Sequence, residues 1–371
     1  MTGKKVCCWD LEGPISVLDF AAEIGKLLSK KSELNLQNYD MGDFFSLISN
    51  YDDYLIDTPG IKKHLGIEDY QPGDTLRIMA PLYVSSFSDD ELIEIAKRNI
   101  GLLPGSKELM KRLSRNWDIY VISTSYTHFA HIVTKALNIK KDHVYCTELN
   151  ISKLKKDLFD IEKNINVLVR EIFQKYLENN KNLDFVLDDL NSFFWSKNEN
   201  YYIKTMNQIT VRGGKRKEQA LEEISEKTRI DMSEMIAIGD SITDIDMLQR
   251  VSKEQGIAIS FNGNRFSVKK ANLAITSPSN LGVLPVFESK EKERFQEFLL
   301  VWESKFNDFK TNPKNITNGL ISKQCKAFFV QYNFVPEINN LKNKSEEELK
   351  DIVFRQEEMR KKVRGWAGNL G

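Results

Sequence analysis

The sequence predicts an α/β protein with a mostly parallel sheet and helical additions, and three observations carry that expectation. Short apolar runs at residues 6–9, 117–122 and 235–238 read as buried strands. Segments with helical spacing lie between them, the alternation that sets parallel strands side by side. The runs end in polar residues: Asp10 with Glu12, then Ser123 and Thr124, then Asp240 with Asp244. In an open parallel sheet, ligands bind at the carboxyl ends of the strands, so these distant residues are expected to converge.

The first strand runs into Asp10-Leu11-Glu12-Gly13-Pro14, where two acids two apart on an extended segment project to the same side. Residues 17–28 follow with amphipathic helical spacing, and 44–48, 51–55 and 74–79 continue it between turn signals at Pro59-Gly60 and Pro72-Gly73. Residues 15–95 therefore read as a helical cap over the end of the first strand. A helix from Ser106 to about residue 116, the second strand, a helix over about 127–137 and a short strand at 143–146 resume the alternation. Residues 150–205 break it, with a charged amphipathic run at 154–177 and the aromatic cluster Phe193-Phe194-Trp195, an anchor for a second helical insertion. A helix at 216–224 and strands at 235–238 and 256–261 complete a core over 1–14 and 96–284. Residues 285–371 read as a charged helical extension, with helices at 292–309 and 345–363 and a tail expected to fray.

Composition narrows the function classes. Lysine plus arginine and aspartate plus glutamate both number 53 in 371 residues, so no overall charge argues for nucleic acid or an anionic membrane as partner. No apolar stretch approaches a bilayer span and the first residues lack a signal-peptide core, which leads to the expectation of a cytoplasmic protein. Cys7, Cys8, Cys146 and Cys325 have no zinc-type spacing and read as reduced, mostly buried thiols.

The converging residues suit phosphoryl transfer. Asp10 can attack phosphorus and Glu12 can protonate the leaving oxygen, then activate water. Two carboxylates facing a phosphate dianion need a cation, and Mg²⁺ takes hard oxygens; the expected ligand set is Asp10, Glu12, Asp240 and Asp244. Ser123 can donate to a phosphoryl oxygen, with Thr124 or Ser125 able to supply the hydroxyl instead, and Lys217 at a helix start can neutralise the group in transfer, with Lys215 and Arg216 as competitors. A serine ending a strand is by itself more often a cap, and a basic helix start is usually solvated.

Asp10-Leu-Glu-Gly-Pro, Ile122-Ser123, Lys217-Glu-Gln-Ala-Leu and Gly239-Asp240-Ser-Ile-Thr-Asp244 resemble, in order, the four motifs of the haloacid dehalogenase (HAD) superfamily. The resemblance covers roughly residues 4–15 and 100–280 without the second insertion, and is closest in style to the phosphoserine phosphatase-like branch. It implies a HAD-type Rossmann-like core and a Mg²⁺-dependent phosphatase acting on a small phosphorylated metabolite through an aspartyl-phosphate. Glu12 departs from the aspartate most of these phosphatases carry. A few members use Glu there, including a phosphoserine to homoserine phosphotransferase, so transfer to an alcohol is an alternative. Glu-Gly-Pro-Ile-Ser, Ser49-Asn-Tyr-Asp-Asp-Tyr-Leu and Gly73-Asp-Thr-Leu also resemble an archaeal family of predicted HAD hydrolases labelled energy-converting hydrogenase A subunit R. A third reading follows from the extra helices: a HAD-fold subunit of a complex, with a protein partner on those helices. Phosphoserine phosphatases place a glutamate nine residues after the nucleophile and an arginine later in the cap. Here Asp19 takes the first place and the cap offers Arg77, with Met79 at the best-aligned position, so phosphoserine is expected to be a poor substrate.

Overall fold

The computed structural model describes residues 4–31, 36–157, 161–195 and 200–369. β1 (Lys5–Trp9) leads into a cap of five helices, α1 (Phe20–Leu27), α2 (Met41–Asp57), α3 (Ile61–Leu65), α4 (Thr75–Ser86) and α5 (Asp89–Arg98). Then come α6 (Ser106–Leu113), β2 (Trp117–Tyr126), α7 (Thr127–Ala136) and β3 (Val144–Thr147). The second insertion holds α8 (Ile151–Leu154), α9 (Ile161–Ile165), a π-helical stretch at Asn166–Phe173, α10 (Gln174–Glu178), α11 (Leu187–Trp195) and α12 (Tyr201–Met206). The core returns with α13 (Lys215–Thr228), β4 (Ile236–Gly239), α14 (Ile245–Lys253), β5 (Ile257–Phe261), α15 (Arg265–Val268) and β6 (Leu273–Thr276). The C-terminal part is α16 (Leu284–Glu291), α17 (Phe295–Thr311), α18 (Lys323–Gln331), β7 (Glu337–Asn340) and α19 (Glu346–Arg364).

The seven strands form one sheet in the order β3-β2-β1-β4-β5-β6-β7, parallel except for β7. Alternation on β1 explains how both faces are filled. Val6 and Cys8 pack with Tyr120, Leu221 and Ile224, with Leu248 and Val251 in the same apolar cluster, so α13 and α14 cover one face. Cys7 and Trp9 point the other way, into the large core that continues through the cap, and Trp9 stacks on Phe287 of α16 at 6.2 Å.

Two expectations are corrected. The C-terminal extension is more than helical: β7 pairs antiparallel with β6, Ile275 opposite Ile338. β6 itself is absent from the sequence reading because four residues show too little alternation to register. The helix expected at 292–309 is α17, which begins at Phe295 after a break from α16 where Glu293 adopts a φ of 56°. The described part of the tail is ordered into the core: Gly365–Asn369 forms a tight helical turn, and Arg360 Nε donates to Gly368 O at 3.2 Å.

The cap and the second insertion, separate in sequence, pack as one helical layer. Tyr51 of α2 donates to Asn191 Oδ1 at 2.6 Å while Trp195 Nε1 donates to the Tyr51 hydroxyl at 2.7 Å, so the aromatic cluster does anchor the insertion. Tyr202 donates to Ile78 O at 2.7 Å, and Phe173 meets Phe44 edge-on at 5.3 Å. Among the described residues no helix is long and apolar enough to cross a membrane.

Candidate active site

The site sits at the carboxyl ends of β1, β2 and β4, as the strand-end residues suggest. Asp10 follows β1 directly and its N–H donates to Ile238 O at 2.8 Å, which fixes it beside β4. Lys217, in the first turn of α13, has no exposed surface and donates at 2.7 Å both to Asp10 Oδ1 and to Asp244 Oδ1. Of its competitors, Arg216 is taken by the cap, pairing with Asp74 at 2.7 Å, and Lys215 is exposed, with its backbone N–H donating to Gln71 Oε1. Asp244 folds back so that Oδ2 accepts from the N–H groups of Asp240 at 2.9 Å and Ser241 at 3.0 Å. Gly239 is required for that turn, since a Cβ there would lie 2.5 Å from Asp244 Cβ. Gly13, at a φ of +112°, likewise makes room for Asp240, whose Oδ2 would lie 2.1 Å from an added Cβ.

Burial dominates the electrostatics. It pushes Asp10 up to about 7, helped by the charge of Asp244 and opposed by Lys217. It works against charge on Lys217 too, but Asp10 and Asp244 outweigh it and hold the ammonium above its ordinary value. Glu12 is pushed up to about 8 by burial and then by Asp19, against the pull of the Phe20 N–H donating to Oε1 at 3.0 Å. A carboxyl that retains its proton near neutrality suits a general acid.

Asp10, Asp240 and Asp244 each offer a carboxylate oxygen, all within 4.8 Å of one another. Asp240 Oδ1 is buried without a hydrogen-bond partner among the described residues, an oxygen that a cation would satisfy. This hard-oxygen trio fits Mg²⁺. Glu12, expected among the ligands, stands outside the trio because its carboxylate is turned onto the Phe20 N–H.

A cavity of about 90 Å³ opens over these groups. Asp10, Glu12, Ser123 and Thr124 line its floor. Ser123 Oγ accepts from Ser125 N–H at 3.1 Å, whereas Thr124 Oγ1 is buried with no partner among the described residues, which makes Thr124 the better donor to a ligand. The cap side of the wall is acidic. Asp52, pushed up to about 7 by burial, accepts from the Tyr70 hydroxyl at 2.6 Å and Gly73 N–H at 3.1 Å, and Asp53 stands beside it. Asp19 also lines the cavity, held as the N-cap of α1 by Ala22 N–H at 2.9 Å. Arg77 is not in the wall: its guanidinium lies 5.7 Å from the ring centres of both Tyr70 and Trp195 and 3.8 Å from Asp69 and Asp74. Met79 is buried in the cap core. Among the wall residues that sequence reasoning missed are Asp52 and Asp53 of the cap and, from α19, Arg360 and Arg364. The only sequence signal of the two arginines is a polar stripe four apart, Gln356, Arg360 and Arg364, which any solvated helix face could carry.

The model of the haloacid dehalogenase-like hydrolases matches residues 91–287, more than half of the chain, including Ser123, Lys217, Asp240 and Asp244. No curated protein matches the sequence. Among solved structures, the gene product AF1437 from Archaeoglobus fulgidus superposes with a TM-score of 0.72 at 23% identity, covering 99% of each chain. A substrate-bound phosphoserine phosphatase aligns at a TM-score of 0.46 and 15% identity over 76% of this chain and 98% of that one. With the strand-end acids and Lys217 brought together in one site and a family model matching residues 91–287, the chain belongs to the haloacid dehalogenase-like hydrolases.

Proposed function

We propose that this hydrolase is a phosphomonoesterase that works through an aspartyl-phosphate on Asp10 with Mg²⁺ as cofactor. The observation that carries the reading is the buried Lys217 bridging Asp10 and Asp244 beside the unpartnered Asp240 Oδ1. Lys217 holds Asp10 Oδ1, which leaves the second carboxylate oxygen to attack phosphorus. Thr124 and Lys217 hold phosphoryl oxygens, and Glu12 gives its proton to the departing alkoxide, then takes one from water as it attacks the phosphoenzyme. Asp10, Asp240 and Asp244 would hold the cation, which when bound offsets the repulsion between Asp10 and the phosphoryl dianion.

The test is a panel of phosphorylated metabolites with Mg²⁺, with chelator, and with acceptor alcohols. Hydrolysis that survives excess chelator would contradict the reading, and faster phosphate transfer to alcohol than to water would favour the phosphotransferase alternative. Phosphoserine should not give the highest kcat/KM in the panel. Asp19 is a methylene shorter than the glutamate of the phosphoserine pattern, and Arg77 is held away from the cavity.

A further inference from the structure

The helix that carries Lys217 is fixed at its start by the cap. Helix α13 begins at Lys215 after Gly214, which has no side chain to accept from the first N–H groups of the helix. The cap supplies an acceptor instead: Lys215 N–H donates to Gln71 Oε1 at 3.1 Å. Arg216, the next residue, carries the rest of the joint. Its Nη2 donates to Asp69 O at 3.0 Å and its Nη1 to Asp74 Oδ1 at 2.7 Å, while the same Nη1 donates to Val211 O at 3.1 Å on the core side. Asp74 is fully buried, and its other oxygen accepts from Gln71 N–H at 3.1 Å, so one carboxylate ties the cap turn both to itself and to α13.

The turn between these contacts suits close approach. Gln71-Pro72-Gly73-Asp74 closes with Asp74 N–H donating to Gln71 O at 3.0 Å, with proline second and Gly73 third at a φ of +88°. An added Cβ on Gly213 would run into Pro72 O, and one on Gly73 would lie 2.8 Å from Thr124 Cγ2 and 3.0 Å from Thr243 Cγ2. The turn thus rests on the approach to α13, on the end of β2 and on the loop that joins Asp240 to Asp244. Adjacent side chains on a helix point about 100° apart, so Arg216 reaches the cap while Lys217 reaches Asp10 and Asp244, each at 2.7 Å. A shift of the helix start by about 1 Å would break that double contact. Resting on the phosphomonoesterase reading, we propose that Gln71 and Arg216 are positioning residues through which the docked cap holds Lys217 on Asp10 and Asp244, so that the lysine is seated for phosphoryl transfer only while the cap turn is in place. Neither residue lines the cavity, so an effect of either on turnover has to be transmitted.

Two measurements on the full chain test this, one of them without turnover. The first is the rate of reductive methylation of Lys217, read by peptide mass spectrometry against Lys227, an exposed lysine of the same helix. Gln71→Ala and Arg216→Gln should raise the Lys217 rate about 10-fold or more in protein that thermal unfolding shows to be folded. Arg216→Lys keeps a charge beside Asp74 but loses the fork, and should lie between them and wild type. The second is kcat and KM on p-nitrophenyl phosphate with Mg²⁺: kcat should fall about 10-fold in Gln71→Ala and further in Arg216→Gln, with KM moving less than about 3-fold. Gln71→Ala leaves the buried ion pair intact and serves if Arg216→Gln does not fold. Lys217 labelling at the wild-type rate in the folded variants would overturn the proposal whatever the kinetics. Faster labelling with an unchanged kcat would overturn it too, since the seat would then not matter to the reaction. A wild type that hydrolyses neither this ester nor any of the metabolite panel would remove the phosphomonoesterase reading, and labelling alone would then decide whether the cap seats Lys217.

Discussion

The cap and the C-terminal helix reach the same cavity by opposite means. The cap is held by apolar packing: Phe44, Leu47, Ile48, Tyr51 and Leu55 of α2 are buried in one continuous core with α4 and the second insertion. What it presents to the cavity is acidic and hydroxylic, Asp52 and Asp53 with Ser49 and Thr75. Helix α19 buries polar side chains instead, and Gln356, Arg360 and Arg364 each find specific backbone or carboxylate partners on the core loops. Apolar contacts are non-directional, so a cap can be repacked with modest loss of register. Hydrogen bonds to buried groups are directional and costly to leave unmade, so α19 has one seat.

The variant with the largest expected effect lies in neither region and sets the scale for both. Asp10→Asn keeps the shape and removes the nucleophile, so turnover should drop by on the order of 10⁴-fold or more with an unchanged unfolding midpoint. Substantial turnover in the folded variant would show that the site has been assigned wrongly. Next comes Ile48→Ala, which opens a void in the cap core and should cost about 2–5 kcal/mol by denaturant titration. A loss near zero would mean that apolar packing does not hold the cap. Gln356→Leu probes the other mode: it strands the Gly263 N–H and should cost about 1–3 kcal/mol in the same titration. No measurable loss there would erase the distinction.

The smallest effect is a pH dependence that belongs to the cap. Burial favours the neutral form of Asp89, but hydrogen bonds from Ser152, His128 and Ile151 outweigh it and hold the carboxyl down at about 2. A depressed carboxyl contributes stability that is present above the unfolded value near ~3.9 and is lost as pH falls toward 2. Wild type should exceed Asp89→Ala by about 1–2 kcal/mol at pH 6, and the difference should vanish near pH 2 in thermal melts. A difference independent of pH would place the contribution in packing instead.

The floor of the site was legible because its signals are local. Asp10 and Asp240 each follow an apolar run, and the Gly-Asp-Ser-Ile-Thr-Asp turn carries Asp244 and its geometry within six residues. Lys217 was separable from Lys215 and Arg216 by its spacing to Leu221, which faces the sheet. The walls were not legible, because they depend on where long segments travel. Arg77 looks like a substrate contact by position, yet Tyr70 and Trp195 take its guanidinium, and Trp195 belongs to an insertion more than a hundred residues on. Arg360 and Arg364 look like surface charges until β7 fixes the path that turns α19 onto Asp240. Glu12 shows the same limit at short range, since its spacing from Asp10 does not reveal which way a longer side chain turns.

The bond from Arg364 to Val17 O joins positions 347 residues apart. During synthesis the nucleophile's strand leaves the ribosome long before the helix that completes the cavity wall, and contacts at this separation form late in folding. Until then the acids at the sheet's end stand without their guanidinium partners on α19, and Lys217 offsets only part of the negative charge at an open mouth.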